Sequence, residues 1–430
     1  MKNKRTMIIL AVTLATISLV ALGFPMKASA DLVSWDDGGG SDKWSQKKNW
    51  DPNGVPTGGD VVSIGSGYSV NYDKKANGDL SSLTLTGSNL NLTTSGTTLQ
   101  STILTVNDLS SLNQSAGTLN MNAGTISTLG AYNLSGGTLS AGTLTNNGTF
   151  NRTGGTLNFD TFNQTNGTSI FTDSGSILTI NNGKIYNLSG GSLTADTTSN
   201  SGAFNFSGGA MTSTLNNSGT STLSAAGGNI TGAVTNTGTF DIQNGSNASA
   251  TSYTQTDGMT IVNGTLTAPV SMSGGILQGS GSIIGDVSVS GGNVGPGNSP
   301  GMLSVTGDYI QSGGILNIQL SSISDYDQLN IDGTADLGGA ILQIELLPGY
   351  SLAIGDQFEI ITATGGITNP FTAYTLTGSL LAGPVTGFEF VTSGNSMFLS
   401  AVPIPASLWL LAAGLIGLVG VRRRIAVHVS

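Results

Sequence analysis

Short runs in which apolar and polar residues alternate recur along most of this chain of 430 residues. Leu157-Asn158-Phe159 is one example, and Gly, Asn, Ser and Thr separate such runs from one another. A period of two that is bounded by turn residues is typical of strands that bury one face. The pattern therefore predicts an all-β protein made of many short strands.

A longer period is superimposed on this alternation. Two adjacent glycines, followed by a variable residue and an apolar one, recur five times in the middle of the chain. The second glycines of these copies are Gly137, Gly155, Gly191, Gly209 and Gly228. Successive copies are one period apart, except that two periods separate Gly155 from Gly191. Repeats of about 18–20 residues with three short strands each predict the coils of a right-handed parallel β-helix over residues 65–294.

In such a β-helix, Leu, Ile, Val, Phe and Met point inward and Thr, Ser and Asn point outward. Glycine occupies corners where the backbone needs positive φ, so the 64 glycines need no ligand to explain them. Disorder is the competing interpretation of a polar, glycine-rich composition. It is disfavoured because 38% of the residues are hydrophobic and only 9% are charged.

The beginning of the chain predicts a secretory signal peptide with a signal helix over residues 1–30. Three cationic residues precede an apolar segment at 7–24. Ala28 and Ala30 form a small-x-small cleavage motif, so we expect the mature chain to begin at Asp31. A retained N-terminal helix is the alternative, and the cleavage motif counts against it.

Charge and residue usage narrow the chemistry of the mature domain. From Asp31 to Val421 there are 24 acidic and 7 basic residues, and no Lys or Arg lies between Lys184 and Arg422. Nucleic acid is therefore not an expected partner. The chain has no cysteine, and its single histidine, His428, lies in the C-terminal tail. Histidine and cysteine nucleophile arrangements and zinc sites are thus excluded, and we expect no catalytic, cofactor-binding or metal-binding residues.

The C-terminal tail combines a proline motif, an apolar run and an arginine cluster. The motif residues are Val402, Pro403, Ile404, Pro405 and Ala406, and the cluster residues are Arg422, Arg423 and Arg424. In this order, residues 402–424 resemble a PEP-CTERM sorting tail of the VPxPA variant. An ordinary membrane anchor is the alternative. The apolar run predicts a single transmembrane helix, with residues 425–430 in the cytoplasm because cationic flanks stay on that side.

The resemblance to PEP-CTERM proteins implies recognition and cleavage by an exosortase-type membrane protease. It also implies a Gram-negative bacterium that makes extracellular polysaccharide. The protein would be exported through the inner membrane, anchored there transiently, and then released or retained at the cell surface. Ile404 stands where the commonest motif of the family has Glu, which leaves open which sorting enzyme acts.

A second motif, apolar-x-Gln-Ser/Thr-x-Gly, begins at Leu112, Phe162, Tyr253 and Tyr309. Residues 295–372, which open with Gly-Pro-Gly-Asn-Ser-Pro-Gly, resemble the C-terminal β-helix segment of autotransporter passenger domains. Residues 60–294 resemble those domains loosely. Autotransporters end in an outer-membrane barrel, for which the segment after Thr372 is too short. We therefore expect residues 373–401 to form closing strands and a tether.

Residues 31–64 contain three tryptophans, Trp35, Trp44 and Trp50. We expect this segment to cap the first coil, because an open edge would otherwise pair with other strands. A platform on which carbohydrate rings stack is the alternative role for three tryptophans so close in sequence.

Two groups of aspartates could form a functional site, and the alternative is that they are ordinary solvated loop residues. Residues 36–42 offer oxygen ligands but lack the spacing of an EF-hand, so calcium binding stays open. In a polysaccharide hydrolase or lyase on this fold, the candidate carboxylates would be Asp325, Asp327, Asp332 and Asp336. They fall at predicted turns of the passenger-like segment, so an enzyme is the alternative and not the prediction.

The sequence thus predicts an acidic, secreted or surface-displayed β-helix with a structural or adhesive role in the cell envelope or exopolysaccharide matrix. Outward rows of Thr, Asn and Ser suit many weak hydrogen bonds to glycans. Extracellular polysaccharide is the expected ligand. A carbohydrate-active enzyme, a soluble surface-layer component and an ice-binding solenoid are the alternatives.

Overall fold

The alternation in sequence becomes an alternation of burial in the folded chain. The computed structural model describes residues 30–172, 177–181, 183–224, 228–298, 300–371, 374–378 and 385–403. In the strand Thr98–Val106, Leu99 and Leu104 are buried while the polar residues beside them face outward. Such strands stack coil on coil into a parallel β-solenoid. The predicted parallel β-helix is confirmed, and its right-handed winding stays a prediction.

The first coils contain a 3-10 turn, Lys47–Asn49, and fifteen short to medium strands. The strands are β1 (Leu32–Trp35), β2 (Trp50–Asp51), β3 (Val61–Ile64), β4 (Ser69–Asn71), β5 (Ala76–Leu85), β6 (Asn89–Leu92), β7 (Thr98–Val106), β8 (Ser111–Gln114), β9 (Thr118–Ile126), β10 (Ala131–Leu134), β11 (Thr138–Asn146), β12 (Thr149–Arg152), β13 (Thr156–Gln164), β14 (Thr168–Phe171) and β15 (Ile177–Ile180). Several of them bend around a corner and so contribute to two ladders.

The middle coils begin with two long strands that pass around all three ladders. The strands here are β16 (Ile185–Asn200), β17 (Ala203–Asn217), β18 (Thr220–Leu223), β19 (Gly228–Ile230), β20 (Val234–Asn236), β21 (Thr239–Ile242), β22 (Asn247–Ser249), β23 (Tyr253–Gln255), β24 (Met259–Val262), β25 (Thr265–Thr267), β26 (Val270–Met272), β27 (Ile276–Gly279), β28 (Ser282–Ile284), β29 (Val287–Val289) and β30 (Asn293–Pro296). Most of these strands are three or four residues long, which suits tight coils.

The last coils differ because an antiparallel hairpin ends them. Their strands are β31 (Met302–Val305), β32 (Tyr309–Gln311), β33 (Ile315–Ser322), β34 (Asp325–Tyr326), β35 (Gln328–Ile331), β36 (Ala335–Asp336), β37 (Ile341–Leu346), β38 (Gln357–Ala363), β39 (Ile367–Thr368), β40 (Tyr374–Gly378), β41 (Val385–Ser393) and β42 (Ser396–Pro403). β33 and β34 form a second, smaller antiparallel pair within this region.

Three ladders of parallel strands make the three faces of the solenoid, here called faces A, B and C. On face A, β3 pairs with the end of β5, and the ladder runs on to β40. On face B, β4 pairs with β6, and the ladder runs on to β38. On face C, the start of β5 pairs with the start of β7. The later part of this ladder begins with β15 and ends with β39. Coil length varies more than the sequence repeat predicts, because one pass links Met259 to Ile276 and a clearly longer one links Thr161 to Ile185.

The glycine pairs that end at Gly137 and Gly155 lie at the corner between faces B and C, and those that end at Gly191 and Gly209 lie at the corner between faces A and B. Gly137 has a φ of 75°, and Gly155 occupies the same corner one coil later with a φ of 71°. A Cβ atom on Gly137 would lie 2.4 Å from the carbonyl oxygen of Gly117 in the preceding coil. Both the backbone conformation and the close approach of the next coil therefore require glycine here, as the sequence predicts.

The N-terminal end is closed by strands and tryptophans together. β1 pairs in parallel with β3 and antiparallel with β2. The rings of Trp35 and Trp50 are 4.9 Å apart and edge to face, and Trp44 lies 4.6 Å from Trp50. Tyr72 of the first coil continues this cluster at 5.1 Å from Trp44. The tryptophans thus fill the end of the core.

The C-terminal end is closed by the hairpin β41–β42, whose second strand pairs antiparallel with β38. Phe358 of β38 packs edge to face against Tyr326 at 5.3 Å and Phe388 at 6.2 Å. β42 continues through Val402 and Pro403, so the first two residues of the predicted sorting motif lie in a paired strand.

Most of the predicted targeting segments lie outside the described residues. These are the signal helix up to position 29 with Ala28, the predicted transmembrane helix, the 425–430 tail, Ile404 to Ala406, and Arg422 to Arg424. Ala30 and Asp31 are exposed, and the Asp31 carbonyl accepts a hydrogen bond from the Val61 amide at 2.9 Å. Within the part of the chain that the structure describes, no helix is long and apolar enough to cross a membrane.

Candidate functional site

The glutamines of the apolar-x-Gln motif point into the solenoid. They are Gln114, Gln164, Gln255 and Gln311, each at most 1% exposed. Nε2 of Gln114 donates to the Thr138 carbonyl of the following coil at 2.9 Å, and Nε2 of Gln255 donates to the Ile276 carbonyl at 2.9 Å. Because buried polar groups need partners, Gln114 and Gln255 tie one coil to the next at a corner, whereas Nε2 of Gln311 has no hydrogen-bond partner among the described residues. The motif predicted a repeat but not this inward role.

Three asparagines form a matching inward row on face C of the middle coils. Nδ2 of Asn200 donates to Oδ1 of Asn217 at 2.8 Å, and Nδ2 of Asn217 donates to Oδ1 of Asn236 at 2.8 Å. Nδ2 of Asn217 also donates to the Thr239 carbonyl at 2.7 Å. All three asparagines are almost fully buried. This inward asparagine row holds coils together, and the recurring Asn-x-Gly signal, as at Asn200 to Gly202, marks it in the sequence.

A second row of asparagines points outward on face B of the first coils. Its members are Asn71, Asn91, Asn113, Asn133 and Asn151, and we call it the face-B asparagine row. Each Nδ2 donates to Oδ1 of the asparagine one coil before, at 3.1, 2.9, 2.8 and 3.0 Å. These side chains are half-buried. An amide has two N–H groups and an oxygen with two lone pairs, so the row keeps hydrogen-bonding capacity toward solvent.

Face A of the same coils carries a row of hydroxyl groups, which we call the face-A threonine row. Its members are Ser63, Thr84, Thr105, Thr125 and Thr145, paired in register from coil to coil. Their side chains are half-buried, and the residues on either side of each point inward. Parallel strands lie about 4.8 Å apart, so the hydroxyl groups repeat at that distance. The outward polar rows that the sequence predicts are thus present.

The tryptophans of the N-terminal end offer no such surface. Trp44 and Trp50 are fully buried and Trp35 is nearly so. Their rings pack on one another and on Tyr72, which leaves no open ring face. The alternative that residues 31–64 present a platform for stacking carbohydrate rings is therefore wrong. Burial and packing of the three rings explain why.

The four aspartates of the candidate enzyme site lie in different environments. Asp325 and Asp332 are exposed, Asp336 is half-buried, and Asp327 is almost fully buried. Oδ1 of Asp327 accepts the Gly301 amide at 2.8 Å, and Oδ2 accepts the Gln319 amide at 2.9 Å. This carboxyl group therefore ties the loop that ends at Gly301 to β33.

The environment of Asp327 changes its proton affinity. Burial raises the pKa of this carboxyl group to about 7, against the two backbone hydrogen bonds, which lower it. The negative charges of Glu345 and Asp325 contribute to the same raised pKa. Glu345 itself accepts a hydrogen bond from Nε2 of Gln319 at 2.9 Å. The buried carboxyl group of Asp327 therefore titrates near neutral pH.

A polar cavity of about 300 Å³ lies beside Asp327. Gln278, Asn293 and Asn317 line it on face A. Oδ1 of Asn293 and Oδ1 of Asn317 are buried and have no hydrogen-bond partner among the described residues. Within those residues, no three His, Cys, Asp or Glu side chains converge on one point, at this cavity or at residues 36–42. The cavity is suited to a hydrogen-bond donor.

A larger groove of about 710 Å³ lies on the last coils, where faces C and A meet. We call it the C-terminal groove. Its apolar walls include Ile310, Leu337, Ile341 and Phe371, and Asp336 and Asn369 contribute polar groups. Sequence reasoning missed this groove because its residues come from three separate coils. Of the four candidate aspartates, only Asp336 lines it.

Comparison with known proteins adds no family assignment. Neither the models of known protein families nor the curated protein sequences match this chain. The resemblances to a PEP-CTERM tail and to autotransporter passenger domains therefore stay predictions from the sequence. The described residues nevertheless present four surfaces to a ligand, namely the face-B asparagine row, the face-A threonine row, the polar cavity beside Asp327 and the C-terminal groove.

Proposed function

We propose that this protein is a secreted or surface-displayed β-solenoid with a structural and adhesive role in the cell envelope or exopolysaccharide matrix. The observation that carries the proposal is the in-register stacking of the face-B asparagine row and the face-A threonine row. An extended glycan that lies along the solenoid meets a hydrogen-bonding group at every coil. Many weak contacts along one polymer sum to strong retention.

Charge supports the same class of partner. The two outward rows contain only uncharged amides and hydroxyl groups, which suit a neutral, hydroxyl-rich polymer. The segment from Asp31 to Val421 has 24 acidic and 7 basic residues, so it repels polyanions. Nucleic acid is not proposed as a partner, because its binding depends on cationic side chains that neutralise phosphates.

The adhesive role is tested by removing one outward row. Replacing Thr84, Thr105, Thr125 and Thr145 with valine deletes four hydroxyl groups and keeps β-branched side chains. The matched control replaces the outward residues Thr212, Thr222, Thr235 and Thr254, which are spread over the three faces. Electrophoresis through gels that contain neutral exopolysaccharides should show lost retardation for the first variant only. Equal retardation of both variants would contradict the proposal, and release of new reducing ends would favour the carbohydrate-active enzyme.

We further propose that residues 1–30 direct export and that residues 402–424 direct sorting by an exosortase-type protease. The support is the order of motif, apolar run and arginine cluster in the sequence. The inner membrane would then hold the protein only transiently. Mass spectrometry of C-terminal peptides from the medium and envelope of the native host should find chains that end before Arg422. Recovery only of chains that extend through Ser430 in the inner membrane would contradict the sorting proposal.

A further inference from the structure

The C-terminal groove interrupts a mostly polar outward row on face C. Along face C, one outward row runs through Ser271, Ser288, Ile310, Asp336 and Thr368. Ile310 is 46% exposed, and Ile341, across the corner on face A, is 53% exposed. Ile341 ends an outward row of face A that also contains Ile276, Asn293 and Ile315. Two well-exposed isoleucines that flank a carboxylate form an apolar contact area of the kind that marks ligand sites.

Asp336 is the polar centre of this groove. Its Oδ1 accepts the Gly338 amide at 3.2 Å and Nδ2 of Asn369 at 3.1 Å, which holds the carboxylate in place. Oδ2 has no hydrogen-bond partner in the part of the chain that the structure describes. One carboxylate oxygen is thus positioned by the protein, and the other has room for a donor from a ligand.

The surrounding chain supplies no positive charge to balance Asp336. Residues 185–421 contain 13 acidic residues and not one Lys or Arg. Among the described residues of these coils, no cationic side chain can therefore pair with Asp336. A desolvated wall beside the carboxylate strengthens such a pair, because the local dielectric is lower than in water.

We propose that the C-terminal groove binds one cationic amino-sugar unit of a polysaccharide. The ammonium group donates to Oδ2 of Asp336, and the C–H face of the sugar ring packs on Ile310 and Ile341. The volume of about 710 Å³ lies within the usual range for small-ligand pockets. This inference rests on the proposed glycan-binding function and names the sugar class for one site of the solenoid.

The composition of the groove favours an amino sugar over the other cations. A calcium ion takes six to eight oxygen ligands, and in the described residues no three acidic side chains converge here. A neutral sugar would leave the carboxylate without a counter-charge. An amino sugar combines a cation with an apolar ring face, and this combination matches the carboxylate between two isoleucines.

The test compares two forms of one oligosaccharide. Calorimetric titration at a pH of about 5.5, where ordinary amines are protonated, uses glucosamine oligomers and their fully N-acetylated counterparts. We expect the amine form to bind about tenfold more tightly, and Asp336→Asn to weaken that binding about tenfold. Asp332→Asn is the matched control, because it removes an exposed carboxylate outside the groove and the same net charge. Ile341→Thr should weaken binding of the amine form while circular dichroism and the melting temperature stay unchanged.

The possible results separate this inference from the broader function. Equal affinity for amine and acetylated oligomers, or equal effects of Asp336→Asn and Asp332→Asn, would overturn the amino-sugar site. If neutral polysaccharides are still retained through the face-A threonine row, the adhesive role stands without it. If no polysaccharide binds anywhere, the proposed function fails first. Tighter binding of lysine oligomers than of glucosamine oligomers at Asp336 would also overturn the inference and indicate a basic peptide.

Discussion

The first coils, residues 61–171, and the last coils, residues 293–378, use the same three faces but present different surfaces. In the first coils every step of the register on face A has nearly the same length, and outward rows run unbroken. In the last coils the step from Leu316 to Leu342 is longer, and the step from Leu342 to Tyr374 is longer still. Constant coil length therefore builds repeated surfaces, whereas inserted residues create cavities and single sites.

Charge follows the same division. All seven basic residues between Asp31 and Val421 precede residue 185, and the 13 acidic residues after it have no basic partner in the sequence up to residue 421. Neutral rows therefore dominate the first coils, and uncompensated carboxylates characterise the last. This division matches the two proposals, in which the outward rows of the first coils contact a polymer and the C-terminal groove binds an amino-sugar unit.

The largest effects should come from opening either end of the core. Trp50→Ala removes a ring that packs on Trp35 and Trp44, and Phe358→Ala removes one that packs on Tyr326. Each change should cost about 3–5 kcal/mol of stability, as large-to-small changes of buried aromatic rings do. Hydrogen exchange should show the loss in the coils next to the altered end, because each coil contacts only its neighbours.

Exchange that rises equally at both ends in both variants would contradict this local response. It would show that the first and last coils unfold as one cooperative unit, despite their different surfaces. Leu109→Ser serves as the control for either variant. Leu109 is an exposed side chain, so its replacement should leave the free energy of unfolding unchanged to within about 0.5 kcal/mol.

The next effect concerns pH and belongs to the last coils alone. The pKa of Asp327 rises from 3.8 in the unfolded chain to about 7 in the folded protein. At a pH between these two values, the folded state therefore holds a proton that the unfolded state has released. This contribution to stability is fully present below pH 3.8 and is lost as the pH rises through about 7. A change of about three pKa units corresponds to about 4 kcal/mol.

Denaturant titrations of the wild type and of Asp327→Asn measure this contribution to stability. They are made at several pH values between the two pKa values. As the pH rises, the free energy of unfolding of the wild type should fall relative to that of Asp327→Asn. Asp332→Asn, with its exposed carboxylate, should follow the wild type. A difference that is constant with pH would show that Asp327 is ionised throughout, and that its two backbone hydrogen bonds outweigh burial.

A smaller effect should follow from the inward asparagine row in the middle coils. Asn217→Leu removes the acceptor of the Ser221 hydroxyl, one acceptor of Nδ2 of Asn200, and the side-chain donor to the Thr239 carbonyl. Nδ2 of Asn200 keeps its hydrogen bond to the Thr220 carbonyl at 2.9 Å. Each unsatisfied buried group costs about 1–3 kcal/mol, and partial rearrangement should limit the total to about 3 kcal/mol. Thermal unfolding monitored by circular dichroism measures it. No loss of stability would mean that the inward asparagine row aligns successive coils without contributing to the free energy of unfolding.

The sequence predicted the repeated part of the molecule better than its sites. Alternation and corner glycines such as Gly137 act within one coil, and they were sufficient to predict a parallel β-helix. The inward position of Asn217 was missed, because asparagine is polar and common at turns, and only the coil-to-coil register shows that it meets Asn200 and Asn236. A sharper search for Asn-x-Gly at a constant phase would have found this row.

The sites of the last coils escaped prediction for a different reason. The predicted turn positions are wrong for Asp325 and Asp336, which lie in β34 and β36, and Asp327 lies in the link between β34 and β35. The chain at Gly301 folds against Asp327 and buries it. Asp336 becomes the centre of a groove only because residues 310, 341 and 371 come together from different coils. No local pattern encodes the length of an inserted segment, so these contacts depend on tertiary structure.

The smallest effect on stability should come from the face-B asparagine row of the first coils. Asn113 donates to Asn91 at 2.9 Å and accepts from Asn133 at 2.8 Å, yet all three side chains are half-buried and water can replace a lost partner. Asn113→Ala should therefore change the free energy of unfolding by only about 0.5 kcal/mol. Retention on neutral polysaccharide should nevertheless fall, because one hydrogen-bonding step in a continuous row is missing. A large loss of stability with unchanged retention would show that the outward amides stabilise the stacking of coils, as the inward amides do. The division between an outward binding surface and an inward stacking core would then be wrong.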